Sequence, residues 1–370
     1  MNQMISEKPD TPEAPIAADR FADRAIQSMA FLHLVAGLLF LFTLTITSFS
    51  LTETASATGQ YACQGNNLVQ QLEHEDPTKL AAIEAAAEEF QNGEAILWKI
   101  SREGIEPSWL FGTMHSSDQR ILGLMDRIKP QFQSATSVII ENTDSVEGKN
   151  SGAALAAMKK YAFLKAGATL DNLVPESDLP ILKRELESRH MSWTSARHMQ
   201  PWLVTASISI PVCDLKAKAS GIPVLDAQIG AAAKAQGKTL IGLESVEEQF
   251  EAVSSIPFEF HINALNETLK LSHLSDDLME TTKALYLEGK IGWMLPLVRS
   301  FAPQTYTGKG YAEFQKLLLT NRNHRMAERA AEHIEKGNAF MAVGALHLPG
   351  KEGLVELLRK SGFTLEPVAL

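Results

Sequence analysis

Two apolar runs of this chain stop in the same way. WLFGTMH (109–115) and FMAVGALH (340–347) each run to a glycine, Gly112 or Gly344, and each places a histidine three residues further on, His115 or His347. The two motifs lie 232 positions apart. Short runs that are apolar at nearly every position read as strands covered on both faces. A third run, SVIIEN (137–142), ends in Glu141. In a sheet covered by helices, ligand sites gather where the carboxyl ends of strands meet loops. If these three strands are neighbours, His115, Glu141 and His347 converge on one point.

The rest of the chain supplies the covering. Residues 66–92 have apolar spacing of three and four, with Asp76-Pro77 opening a second helix. AILWKIS (95–101) and SWLFGTMH (108–115) read as a hairpin around the turn REGIEP (102–107). LMDRIKPQFQSA (124–135) reads as a short helix, and 152–212 as mostly helical. IPVLDAQIGAAAKAQGKTLIGLES (222–245) reads as strand, helix, strand, with Asp226 at the helix start, Gly237 at its end and Glu244 after the second strand. Helices follow over 246–320 and 321–337, then the second Gly-x-x-His strand, a helix and the strand FTLEPVAL (363–370). The expected class is α/β (α+β): a central mixed β-sheet flanked by helices, with a largely helical insertion in the middle of the chain.

The first 57 residues follow other rules. Residues 1–24 are polar and carry Pro9, Pro12 and Pro15, as in a disordered cytoplasmic segment. No charged residue occurs from Ala25 to Thr52. That is enough to cross a bilayer, which takes roughly 20 residues as a helix. Ala55-Ser56-Ala57 has the small-residue pattern of a signal-peptidase site. Residues 25–57 therefore read as a signal peptide or a membrane anchor, the bland alternative being a buried soluble helix. The first two place 58–370 in the periplasm or outside the cell, held at the inner membrane through residues 30–50 if uncleaved. Cys63 and Cys213, the two cysteines, both lie beyond this segment. Export would make them a natural disulfide, and two unrelated buried thiols are the alternative. The formal net charge of −10 and the lack of a Lys/Arg cluster argue against a nucleic-acid partner.

Two imidazoles and a carboxylate are a known set for a divalent metal, with positions left for water and substrate. A glycine before each histidine permits a tight turn and close approach of backbone to a ligand. Each residue also has a plain structural reading: a strand-end histidine as a hydrogen-bonding group, Glu141 as a helix cap. In NRNHRMA, Arg322 can stabilise a developing oxyanion and Asn323 can orient a substrate carbonyl, or the pair is a cap and a surface cation. His324 is a possible substitute ligand, and Asp226 and Glu244 read as caps or as supports for the site. There is no Gly-x-Ser-x-Gly elbow, His-Glu-x-x-His, phosphate loop or dinucleotide fingerprint.

Taken together, ACQGNNL, LWKI…PSWLFGTMHSSD, VIIENTD, PVLDAQI, GLES…EEQ, NRNHRMA and AFMAVGALHLPGKEGLVELL resemble the TraB/GumN family, to which the Tiki metalloproteases are related. The resemblance runs from about Cys63 to the C-terminus. It implies a mixed sheet flanked by helices and a metal-dependent hydrolase site, with His115, His347, Glu141, Arg322 and Asn323 at the family's signature positions. The expected ligands of a divalent ion, Mn²⁺, Co²⁺ or Zn²⁺, are His115, His347 and Glu141. The family does not imply a substrate; a peptide or protein is the expected one, with Arg322 and Asn323 facing it in catalysis and Glu141 acting either as the third ligand or as the general base toward metal-bound water. A non-catalytic peptide-binding or regulatory protein on the same scaffold is the alternative.

Overall fold

The computed structural model describes residues 63–143, 151–303, 305 and 310–370. The segments expected to be disordered (1–24) and to enter or cross a membrane (25–57) lie outside the described residues. Among the described residues, no helix is long and apolar enough to cross a membrane.

Six strands form one mixed sheet: β1 (Leu97–Arg102), β2 (Ile105–Thr113), β3 (Ser137–Ile140), β4 (Thr239–Gly242), β5 (Ala339–Gly344) and β6 (Thr364–Val368). Their order across the sheet is β4-β3-β5-β2-β1-β6. The four strands β4, β3, β5 and β2 are parallel, while β1 is antiparallel to both β2 and β6. The expected α/β class and the mixed sheet are therefore observed. The parallel strands are the apolar ones: Ala339 to Val343 are all buried, as are Val138 to Ile140. Helices cover both faces of such strands, which removes the need for a polar face. Phe340 packs edge-on against Phe132 and lies 6.0 Å from Phe111.

Local chemistry explains where elements begin and end. Asn67 caps helix α1 (Leu68–Glu75) through Val69 N–H. Asp76 caps α2 (Pro77–Glu88) through Lys79 N–H, with Pro77 in the first turn where its missing N–H costs nothing. The β1–β2 turn is tighter than the sequence suggests. The strands run to Arg102 and from Ile105, leaving Glu103-Gly104, with Gly104 at φ +78°. Pro107 fits inside β2 because pairing with β5 begins only at Trp109.

One expected strand is not formed. Residues 222–224 belong to no strand. Gly221 N–H and Ile222 N–H turn back to Lys218 and Ala217 carbonyls to close the preceding helix, and Pro223 has no N–H for a ladder. The helix that follows, α3 (Leu225–Ala235), starts on the loop after β2, with Leu225 N–H bonded to Ser116 C=O. Beyond β4 come α4 (Val246–Ser254), opened by a Ser245–Glu248 capping box, and α5 (Ser275–Leu287). Helix α6 (Asn321–Ile334) precedes β5, and α7 (Leu354–Lys360) precedes β6. The segments 151–235 and 246–334, between β3 and β4 and between β4 and β5, contain the expected helical middle of the chain.

Cys63 and Cys213 form a disulfide with Cα atoms 5.3 Å apart. Beside it Lys283 of α5 is fully buried, its Nζ 3.3 Å from Asp214, 3.5 Å from Asp118 and 3.4 Å from Cys63 Sγ. Ser116 O–H also donates to Asp214. The disulfide and a buried ion cluster thus fasten the loop that leaves β2.

Candidate active site

The parallel register brings three strand ends level. Ile140 pairs with Ala342, and Thr113 with Gly344. Glu141 follows β3 directly, His115 lies two residues past β2, and His347 closes a single 3₁₀ turn, Ala345–His347, after β5. With β3, β5 and β2 adjacent, the three residues face the same edge of the sheet.

The two glycines make room for neighbouring protein groups. A Cβ on Gly112 would lie 3.0 Å from the Ala345 Cα and from Leu348. A Cβ on Gly344 would lie 3.1 Å from Glu141 Oε1. Neither has positive φ, so close approach, not turn geometry, requires them. Without a side chain, Gly344 can bring its N–H to Glu141 Oε1 at 2.6 Å.

Glu141 has donors on both oxygens. Oε1 accepts Gly344 N–H and lies 3.8 Å from His347 Nε2. Oε2 accepts Arg322 Nη2–H at 2.7 Å and Gln249 Nε2–H at 3.3 Å. Burial opposes ionisation, but the facing imidazole, the Arg322 guanidinium and the Gly344 N–H outweigh it and pull the carboxyl down to about 2. Arg322 also holds Glu244 through Nε and Nη2, and Arg325 takes the other side of Glu244 at 2.6 Å.

His347 is buried. Its Nδ1 lies 2.6 Å from Asn323 Oδ1, while Asn323 Nδ2–H donates to the Glu352 carbonyl at 2.7 Å. That second bond fixes which end of the amide is oxygen, so Nδ1 carries the proton and Nε2 the lone pair. Burial lowers the His347 pKa to about 4 and keeps the ring neutral. His115 is the opposite case. Its side chain is 68% exposed, and its Nδ1 lies 2.6 Å from Asp226 Oδ2. The Asp226 charge, against some desolvation, raises its pKa to about 9. Asp226 Oδ1 accepts the Thr113 hydroxyl.

This donor set fits a divalent cation in its chemistry. Each imidazole is oriented through Nδ1 by an acceptor, one carboxylate and one amide, and each presents Nε2 to a ligand. A cation would displace the second proton of His115. The donors stand wider than a coordination sphere. Among the described residues, the only ligand atoms of three His, Cys, Asp or Glu residues all within 4.8 Å of one another are those of Cys63, Cys213 and Asp214. Two of these are disulfide sulfurs and Lys283 abuts the group, so that trio is no metal site.

The other candidates are placed as follows. Asn323 is buried between His347 and Glu352, and Arg322 lies between Glu141 and Glu244. His324 turns away to Glu352 Oε2 at 2.6 Å. Asp226 and Glu244 hold site residues, not helix caps. Thr113, Gln249 and Tyr286 also support the site but were not among the residues expected from sequence; Tyr286 is buried with its O–H on the Gly112 carbonyl at 2.7 Å. Gln249 had a signal, as the last residue of GLES…EEQ; Thr113 and Tyr286 had none.

Metalloprotease TIKI1 of Danio rerio is 24% identical over 320 residues, covering 74% of this chain and 63% of its own length. Metalloprotease TIKI1 of Homo sapiens is 24% identical over 321 residues, covering 74% and 61%. The uncharacterized protein YbaP of Shigella flexneri is 24% identical over 263 residues, covering 70% and 90%. The chain thus spans about three fifths of the length of these two metalloproteases. No solved structure matches it. The model of the TraB/PrgY/gumN family matches residues 96–367, from the start of the β1–β2 hairpin to the last strand. With strands, paired histidines and strand-end glutamate all inside that span, the chain belongs to the TraB/PrgY/gumN family.

Proposed function

We propose that this protein is an exported, metal-dependent hydrolase of peptide bonds, with His115, His347 and Glu141 holding one divalent cation, Mn²⁺, Co²⁺ or Zn²⁺. The observation that carries this reading is the pair of imidazoles anchored through Nδ1, each leaving Nε2 for a ligand, at the same sheet edge as an ionised carboxylate. The relatives named metalloproteases support a peptide or protein substrate. The disulfide supports an oxidising compartment, and the uncharged run before Ala55-Ser56-Ala57 supports export of 58–370.

When bound, the cation supplies Lewis acidity, which polarises a carbonyl and eases deprotonation of water near neutral pH. The chain's own groups have separable tasks. Glu141 is a ligand whose orientation is fixed by Gly344 N–H and Arg322. Asn323 fixes the tautomer and ring plane of His347. Arg322 keeps Glu141 ionised and in place. The sequence expectation turned Arg322 and Asn323 toward the substrate. Their contacts support positioning roles, because both are half-buried or buried and engaged by protein groups.

The test is cleavage of a peptide library by purified residues 58–370 with Mn²⁺, Co²⁺ or Zn²⁺ added, repeated with chelator. Cleavage that needs the metal and is lost in His347→Ala is expected. Peptide binding without cleavage under every metal would replace the hydrolase with a peptide-binding regulator.

A further inference from the structure

We infer that Asp226 is the positioning residue that makes His115 a metal ligand. The inference rests on the reading of the site as a metal centre. His115 sits on a loop and is mostly exposed, so packing does not hold its ring. Among the described residues its ring has one hydrogen-bond partner, Asp226 Oδ2 at 2.6 Å. The carboxylate is itself held in place. Its other oxygen accepts the hydroxyl of Thr113, the last residue of β2. The helix carrying it begins on the same loop, through Leu225 N–H to Ser116 C=O at 3.3 Å. Strand, loop and helix therefore fix both ends of one hydrogen bond.

The chemistry of that bond determines which nitrogen is available. An ionised carboxylate only accepts, so Nδ1 must donate and Nε2 alone is left for a cation. Without Asp226 the ring is free to rotate and to take either tautomer, including the one in which Nε2 carries the proton and has no lone pair for a cation. The buried partner ring, His347, is anchored by a neutral amide, where a second carboxylate would need its own counter-charge. At the exposed position of His115 a charged anchor carries little desolvation penalty and makes the imidazole a stronger donor to a cation. Thr113 serves the same end at one remove, by aiming the carboxylate.

A double-mutant cycle on Co²⁺ affinity separates positioning from general structural support. The four proteins are wild type, Asp226→Ala, His115→Ala and the double variant, each checked for native circular dichroism and melting. Asp226→Ala is expected to weaken Co²⁺ binding roughly 10–100-fold, the range for groups that orient a ligand. The same change in the His115→Ala background is expected to alter affinity by less than about 2-fold, because the group it acts through is gone. If Asp226→Ala does not fold, Asp226→Asn keeps the shape, and a smaller loss that likewise vanishes without His115 is expected. An equal loss in both backgrounds, or none in the wild-type background, overturns the inference while leaving the metal site standing. If His115→Ala binds Co²⁺ like wild type, the metal-site reading itself fails.

Discussion

Replacing Arg322 by alanine removes the cation between two buried carboxylates. The guanidinium is 12% exposed, Glu244 is fully buried and Glu141 is 14% exposed. Removing one partner of a buried ion pair typically costs about 3–5 kcal/mol, because the remaining charge stays desolvated. Two features place this site at the lower end. Glu244 keeps Arg325 at 2.6 Å, and Glu141 keeps the Gly344 N–H. The expected loss is therefore about 3 kcal/mol, which at roughly 2–4 °C per kcal/mol lowers the melting temperature by about 6–12 °C. Urea and thermal denaturation with chelator present measure this without a contribution from metal binding. Arg322→Lys should fall between, since a lysine keeps the charge but cannot bridge both carboxylates with a planar fork. Arg322→Ala/Glu244→Gln should recover part of the loss by neutralising the stranded charge. A loss below about 1 kcal/mol, the scale of a surface ion pair, would mean that Arg322 does not hold a desolvated pair of carboxylates.

Cys213→Ser should lower stability by up to about 5 kcal/mol in the chain-entropy model, and no less than the Cys63→Ser/Cys213→Ser double variant, given a sequence separation of 150 residues; unchanged denaturant midpoints in oxidised protein would contradict it. Glu248 is pulled down to about 2 by the hydrogen-bonded Arg329 guanidinium, against some burial and with help from Ser245 N–H. Its folded value lies below its unfolded one, so its stabilisation is full above about pH 4.5 and is lost as pH falls toward 2. Glu248→Gln should flatten the pH–stability curve in that window, and identical curves would count against the pairing. Gly112→Ala puts a methyl 3.0 Å from the Ala345 backbone and should cost about 1–3 kcal/mol by denaturation. Gly344→Ala presses on the Glu141 carboxylate and should lower Co²⁺ affinity more than stability.

The sheet was legible because its central strands are apolar on both faces, and their glycine stops and trailing histidines mark their ends. Adjacency of β3, β5 and β2, which the sequence left as a condition, carried Glu141, His115 and His347 to one edge. The Asp76-Pro77 helix start was readable for a similarly local reason, while the Cys63–Cys213 pair, 150 residues apart, was suggested only by there being two cysteines in a segment expected to be exported. Residues 222–224 misled because a short apolar run reads the same whether it pairs or merely closes a helix. The roles of Arg322, Asn323 and Asp226 depend on contacts to residues 181, 24 and 111 positions away. Periodicity and capping carry no information about such partners. Thr113 and Tyr286 were invisible for the same reason: a strand threonine and a helical tyrosine look like packing until the carboxylate and carbonyl they meet are in place.

The proposed site stands or falls on whether the paired strand-end histidines and Glu141 hold a metal. Co²⁺ bound per chain, measured by elemental analysis after equilibrium dialysis of wild-type and His115→Ala/His347→Ala protein, tests it most directly. Close to one ion per chain is expected in the wild type and almost none in the double variant, with both proteins folded. Equal metal in the two would contradict it, and would leave the two Gly-x-x-His motifs as devices for ending and packing strands.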